Sequence, residues 1–327
     1  MIARRHFVLA LGASALAASL ASFAQQPGKV PRIGFLIPET LSTEASRVDA
    51  LRAGLRDHGY VEGKNIAIEL RSAEGNYDRL SELAAELVRL KVDVIVAFGT
   101  KAVSAAQRAT TTIPIVDPVM GDPVAIGLSS SLARPGGNIT GSVQFSREAG
   151  AKSLEFLKEA FPRITRIAVL INPANAGNPL QLQVIGATAN ALKLELQAFE
   201  VRNAKELGAT FAAMAQRRVE ALVVPSDTLF RANFIEIADR AGKQRLLAAG
   251  TKEFAMAGGL IGYGPDPVEL YRRSAYFVDR ILKGAKPDEL PIERATRLEL
   301  VINLKTAKAL GITMPQSLLV RANEVIQ

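Results

Sequence analysis

The chain of 327 residues contains no cysteine and no tryptophan. Without cysteine there is no disulfide, no thiolate metal site and no cysteine nucleophile. A bacterial lipoprotein anchor, which is built on a cysteine, is excluded as well. Histidine is almost as scarce, with two in the whole chain. His6 falls in an N-terminal apolar segment, and His58 stands beside Gly59 at an expected helix end. No metal-ligand spacing and no Ser-His-Asp signature can be assembled from these. The glycine-rich stretch Arg134–Gly141 lacks the Lys-Ser/Thr of a phosphate loop, and Ile33-Gly34-Phe35 does not make a dinucleotide fingerprint. No catalytic residue, metal ligand or cofactor is therefore assigned. Basic runs are missing too, although the formal net charge is +8. Lysines and arginines are scattered among acids, as in Arg47, Asp49, Arg52, Arg56 and Asp57. That pattern describes a solvated surface of mixed sign, so no nucleic-acid partner is expected.

One long apolar run is present, and it lies at the start. Arg4 and Arg5 precede the apolar stretch Phe7–Leu20, and Ser22-Phe23-Ala24 has the small-x-small form of a cleavage site. Residues 1–24 are expected to be a signal peptide cleaved after Ala24, which places the mature chain in the periplasm of a two-membrane bacterium. A general secretory and a twin-arginine signal both fit these residues.

Over the whole chain 48% of residues are hydrophobic, enough for ordinary cores. Short apolar runs alternate with helical patterns. Strands are expected at Lys29–Ile37, Ile66–Leu70, Val92–Phe98, Arg166–Ile171, Glu195–Val201, Ala221–Val224, Arg245–Ala248, Gly258–Tyr263 and Leu298–Ile302. Between them, helical spacing links Val48, Leu51 and Leu55, then Leu80, Leu83, Leu87 and Leu90. Strict alternation of this kind indicates α/β architecture with parallel sheets. It runs through two halves of similar size, so two lobes are expected. Three turn-rich crossings, Gly136–Ser142, Tyr263–Pro267 and Pro287–Arg297, would make a hinge between them.

The stretch Ile113–Gly141 (IPIVDPVMGDPVAIGLSSSLARPGGNITG) concentrates the argument. A buried strand is expected to hand over to an acidic loop at Asp117–Asp122. A helix at Val124–Ala133 and the first crossing would follow. Open α/β sheets hold ligands beyond the carboxyl ends of their strands. By that rule the candidate contacts are Thr40, Thr100, Lys101, Asp117 and Asp122 in one lobe. In the other they are Asn172, Asn175, Ser226, Asp227 and Tyr263. Thr100, after Gly99 at a helix start, suits a cap and also a ligand carboxylate. Asp117 suits a ligand ammonium. Asp122 suits an ammonium or a helix cap ahead of Pro123. Asp227 is equally suited to capping, and the two asparagines to forming a turn. Tyr263, Phe98, Phe145 and Phe230 would either wall a pocket or simply pack.

The segments GLRDHGYVEGKNIAIELR (54–71), AAELVRLKVDVIVAFGT (84–100), residues 113–141, GGLIGYGPD (258–266), ILKGAKPDELPIE (281–293) and INLKTAKALGI (302–312) resemble a family of ABC-transporter periplasmic substrate-binding proteins. That family includes tryptophan/tyrosine transporter binding proteins. The resemblance implies a type I periplasmic-binding fold: two Rossmann-like lobes with a three-crossing hinge. Residues 28–142 with 264–290 would form lobe 1, and 143–263 with 291–327 lobe 2. It further implies a monomer that closes on a small-molecule solute, an amino acid or aromatic or small carboxylate, and delivers it to an ABC permease in the inner membrane. The alternative is a periplasmic sensor presenting the bound solute to a receptor; an enzyme on the same fold is a more remote one.

Overall fold

The computed structural model describes residues 30–144 and 146–327. The expected signal peptide and Phe145 lie outside them. The first half runs β1 (Arg32–Ile37), α1 (Leu41–Asp57), β2 (Ala67–Ser72), α2 (Leu80–Arg89), β3 (Val94–Ala97), α3 (Thr100–Ala109), β4 (Ile115–Met120) and β5 (Ile139–Val143). The second runs α4 (Ser146–Ala160), β6 (Arg166–Ile171), α5 (Asn178–Ala191), β7 (Glu195–Glu200), α6 (Leu207–Gln216), β8 (Ala221–Val223), α7 (Thr228–Ala232), α8 (Phe234–Lys243), β9 (Leu247–Gly250), α9 (Lys252–Met256) and β10 (Ile261–Gly264). The chain then returns through α10 (Pro267–Leu282) and β11 (Glu293–Arg294). It ends with β12 (Glu299–Asn303), α11 (Leu304–Leu310), α12 (Gln316–Arg321) and β13 (Glu324–Ile326).

Two sheets result, ordered β11-β5-β4-β3-β1-β2 and β13-β12-β10-β9-β8-β6-β7. Each has helices on both faces, so its central strands are apolar on both sides and read as continuous runs. On one face of the first sheet, Ile33, Phe35 and Ile37 pack with Val48, Leu51 and Leu55 of α1 and with Tyr271 and Val278 of α10. On the other face, Leu36, Ile95 and Ile115 meet Leu83 and Leu87 of α2 and Val103 of α3. The second sheet repeats the scheme. Ile167 and Val169 face Leu154 and Leu157, while Ala168 and Leu170 face Phe211, Phe230 and Ile237. Each fully buried Leu, Ile or Phe among these contributes roughly 1.5–3 kcal/mol.

All pairings in both sheets are parallel except β10 with β12. The exception follows from the hinge. β10 ends at the cleft and sends the chain to the first lobe, and β12 starts at the cleft when the chain comes back. It must therefore run the opposite way.

Three expectations for local structure change. Val124–Ala133 is a series of turns, not a helix. Gly127 there has φ +74°. The serine hydroxyls bond nearby backbone instead: Ser129 Oγ donates to the carbonyls of Ser131 (2.9 Å) and Pro135 (3.1 Å), and Ser131 Oγ to that of Arg134 (3.0 Å). Such local bonds compete with the helical ladder. The strand also continues past its expected end, so Asp117 lies within β4 and not in a loop. Pro118 is accommodated because the β4–β5 register shifts between Asp117 and Met120, the kind of irregularity where a missing N–H is tolerated. Finally, β5 holds residues through Val143 in the first sheet, and β11 pairs with β5 there. The first crossing therefore follows Val143, the second follows Gly264, and the third lies between Arg294 and Glu299.

Candidate functional site

The carboxyl ends of both sheets face each other across a cleft. Its walls include Thr100, Lys101, Asp117, Asp122, Asn172, Asn175, Ser226, Asp227 and Tyr263. Thr40 is not among the lining residues. Its Oγ1 accepts the Thr43 N–H at 3.4 Å and caps α1.

β3 delivers the chain to Gly99, whose φ of +81° turns it into α3. Thr100 opens that helix, so its backbone N–H and those beyond it have no partner in a preceding turn. Thr100 Oγ1 donates to Asn175 Oδ1 in the other lobe at 3.4 Å. Lys101 Nζ lies 4.6 Å from the centroid of the Tyr77 ring. The adjacent strand carries Asp117, which is 3% exposed. Its Oδ1 accepts the Val119 N–H at 3.0 Å. Burial pushes its pKa up to about 7, with the Val119 N–H pulling the other way. No cation contributes to that balance. Asp122 caps the turn that replaces the expected helix, accepting the Ala125 N–H at 3.0 Å.

The opposite wall is a connected polar network. Asp227 Oδ1 accepts the Leu229 N–H at 2.8 Å and so caps α7. The same carboxylate accepts from Asn172 Nδ2 at 3.1 Å and from Asn175 Nδ2 at 2.6 Å. Asn172 Oδ1 and Asn175 Oδ1 take the N–H groups of Ala174 and Gly177. Capping, turn formation and cleft lining are thus done by the same three side chains. Ser226 Oγ reaches Gln144 Oε1, in the first crossing, at 3.3 Å. The Tyr263 ring packs edge-on against Phe156 with centroids 5.2 Å apart. Of the other aromatics considered, Phe98 lines the cleft and Phe230 is fully buried in the second core.

Four charged residues in the cleft region were not anticipated from sequence. Glu44 and Arg47 lie on the inner face of α1, and Arg231 and Glu253 come from α7 and α9. Arg47 pairs with Glu44 at 3.3 Å within its own lobe and with Glu253 of the other. Arg231 Nη2 stands 2.5 Å from Glu44 Oε1, an ion pair whose geometry is not that of a hydrogen bond. Burial works against the Arg47 cation, but Glu253 and Glu44 beside it outweigh that and raise its pKa. A signal for the α1 pair was available. Glu44 and Arg47 precede Val48 and Leu51 by one turn on the apolar stripe, where a solvated charge does not belong. Nearby, Tyr77 Oη donates to Glu39 and approaches Thr228 Oγ1 at 3.3 Å across the cleft. Burial raises the Glu39 pKa, and the Tyr77 hydroxyl only partly opposes this.

The cleft therefore combines a buried carboxyl without a counter-ion among the described residues, a helix N-terminus, amide side chains and apolar walls. Such a surface has the polarity and apolar walls that suit a small polar molecule held between lobes. Residues 41–326 match the family model for ABC transporter substrate binding proteins. This chain belongs to that family, whose members bind solutes, work with ABC transporter components and are not enzymes. It is similar to the tyrosine-binding protein of Clostridioides difficile (strain R20291), at 26% identity over 79% of this chain and 74% of that one. Among solved structures it resembles the ABC domain in complex with L-Trp from Streptococcus pneumonia. The TM-score is 0.84 at 25% identity, covering 90% of this chain and 99% of that one. A ligand-free, open substrate-binding protein with adhesive properties from Clostridium difficile shares the fold with a TM-score of 0.67. It is 23% identical, covering 91% of this chain and all of that one (100%).

Proposed function

We propose that this protein is an exported, monomeric solute receptor that closes on an amino acid with an aromatic side chain and passes it to an ABC permease in the inner membrane. The observation that carries this reading is Asp117. A buried carboxyl with no counter-ion is unfavourable unless a cation completes it. An ammonium reaching the cleft supplies that charge and gains a charge-assisted hydrogen bond. The N-terminus of α3 offers N–H groups and a favourable dipole to the carboxylate of the same molecule. Phe98, Met120 and Tyr263 provide apolar surface for a flat side chain. Tyrosine and tryptophan binding by the relatives named above agrees with this chemistry.

The test is a thermal-shift screen of solute-stripped protein, from which co-purified ligand has been removed. It covers the L-amino acids and their deaminated counterparts. A true ligand present at 100 times its Kd stabilises by about 2.7 kcal/mol. Tyrosine or tryptophan is expected to raise the Tm, while 3-(4-hydroxyphenyl)propionate and indole-3-propionate leave it unchanged. A screen in which no amino acid shifts the Tm overturns the reading.

A further inference from the structure

Among the described residues, three cations line the cleft: Arg47, Lys101 and Arg231. Two of them are neutralised by carboxylates. Arg47 pairs with Glu44 and Glu253, and Arg231 with Glu44. Lys101 has no carboxylate partner among the described residues. Its ammonium lies instead 4.6 Å from the centroid of the Tyr77 ring. The Tyr77 hydroxyl donates to the carboxylate of Glu39, a buried residue. Ser72 Oγ donates to the Glu39 carbonyl at 2.6 Å and fixes the backbone there. β3, β1 and β2 are neighbours in the first sheet, and the three side chains follow their carboxyl ends: Lys101 after β3, Glu39 after β1 and Tyr77 after β2. The contacts among them lie within the first lobe. Burial pushes the Tyr77 phenol above its usual range and the Glu39 charge adds to this, so the hydroxyl keeps its proton and goes on donating. Donation to a carboxylate enriches the ring in electron density, and the ring face attracts a cation electrostatically.

We propose that Lys101 receives the carboxylate of the solute and that Tyr77 and Glu39 are its positioning residues. The proposal rests on the amino-acid reading above and assigns a partner to the second charge of that molecule. Asp117 on β4 is a carboxyl without a counter-ion, and Lys101 on α3 is an ammonium without one. The two ends of a zwitterion are thus matched from one lobe. Arg47 and Arg231 cannot serve in this way without giving up Glu44 or Glu253, and breaking an enclosed ion pair costs more than an exchange of partners returns. Lysine carries its charge on a flexible stem. An ammonium already held against a ring loses less freedom when a carboxylate arrives, which favours binding.

The probes are the amino acid that raises the Tm most and its decarboxylated amine, such as tyramine for tyrosine. The amine keeps the ring and the ammonium and lacks the carboxylate. Calorimetric titration compares solute-stripped wild type with Lys101→Met, Lys101→Arg, Tyr77→Leu and Tyr77→Phe. Lys101→Met is expected to weaken the amino acid about 10-fold and to leave the amine unchanged, and Lys101→Arg to restore most of the loss. Tyr77→Leu is expected to weaken the amino acid about 3-fold, with the amine again unchanged. Tyr77→Phe keeps the ring and loses the bond to Glu39, so about 2-fold is expected; it decides the positioning role if Tyr77→Leu does not fold. A merely structural role would move both probes together. Lys101→Met that weakens both probes equally, or neither, overturns the carboxylate contact. Tyr77 variants without a selective loss overturn the positioning role. A screen in which no amino acid raises the Tm overturns the functional reading, and this assignment with it. An amino acid that binds wild type and Lys101→Met alike overturns the assignment alone.

Discussion

Lys252 and Glu253 are consecutive on α9, yet they hold different parts of the molecule. Glu253 reaches across the cleft to Arg47, while Lys252 Nζ bonds Asp266 at 3.0 Å and Glu299 at 2.6 Å. Asp266 lies in the second crossing and Glu299 begins the strand after the third. One five-residue helix thus ties the cleft to the hinge. Burial disfavours the Lys252 ammonium, but the carboxylates of Glu299 and Asp266 reverse the effect and hold its pKa above the usual lysine range.

Replacing Lys252 with methionine keeps its packing and removes the charge. Glu299, itself buried, is left with Arg297 at 2.9 Å as its ionic partner. Breaking so enclosed a cluster is expected to destabilise the protein by roughly 2–3 kcal/mol, more than an exposed pair and less than a fully buried one. Urea unfolding of wild type and Lys252→Met measures the difference.

Asp117 makes stability depend on pH. Its folded pKa of about 7 lies above its ordinary value of 3.8. The folded state therefore holds the proton more tightly than the unfolded chain does. The resulting stabilisation is complete in acid and is lost as pH rises towards 7, with a slope of at most about 1.4 kcal/mol per pH unit. Asp117→Asn is expected to flatten this part of the profile and to raise the Tm of solute-free protein at pH 8. The same change is expected to weaken an ammonium-bearing solute by roughly 10- to 100-fold, the loss of one charged hydrogen bond. Melting curves from pH 4 to 8, with and without the solute, check both outcomes.

A steric test isolates the closed state. A Cβ added at Gly99 would stand 2.8 Å from Thr228 Cγ2, which belongs to the other lobe. Gly99→Ala is therefore expected to weaken solute binding beyond the cost of its positive φ, which is about 1–2 kcal/mol within its own lobe. Adding Thr228→Ser removes the obstructing methyl and keeps the hydroxyl that faces Tyr77. The double variant should recover much of the affinity while keeping the lowered Tm. Calorimetric titration of the two single variants and the double variant tests the coupling.

Asp227→Ala removes the buried carboxylate that accepts from three donor groups. Asn172 Nδ2 and Asn175 Nδ2 lose their acceptor, and α7 loses its cap. A loss of roughly 2–4 kcal/mol is expected, since unsatisfied buried donors add to the missing cap. Solute affinity is expected to fall as the two amides turn away. Thermal unfolding and titration together test this.

The amino-acid sequence by itself determined the alternation of strands and helices, because each half-turn of apolar residues has one buried partner it can face. It also determined that the ends of β3, β6 and β8 would be polar. Thr100, Asn172 and Asp227 follow apolar runs too short to continue, and they line the cleft as that rule requires. Thr40 follows the same rule and instead serves its own helix. Only tertiary structure decided where Asp117 sits, because a strand that takes Pro118 through a register shift looks in sequence like a strand that has ended. It also decided that Ser129–Ser131 would bond backbone and not a helix. The ion pairs of Glu44 and Arg47 with the other lobe were equally a tertiary outcome. Glu44 and Arg47 are an ordinary spaced pair until α1 is laid beside the cleft, and their partners are about 200 residues away in the chain, as with Arg47 and Glu253. Local residue patterns encode burial, which depends on near neighbours; opposite charges from distant segments meet only once the hinge has set the two lobes face to face.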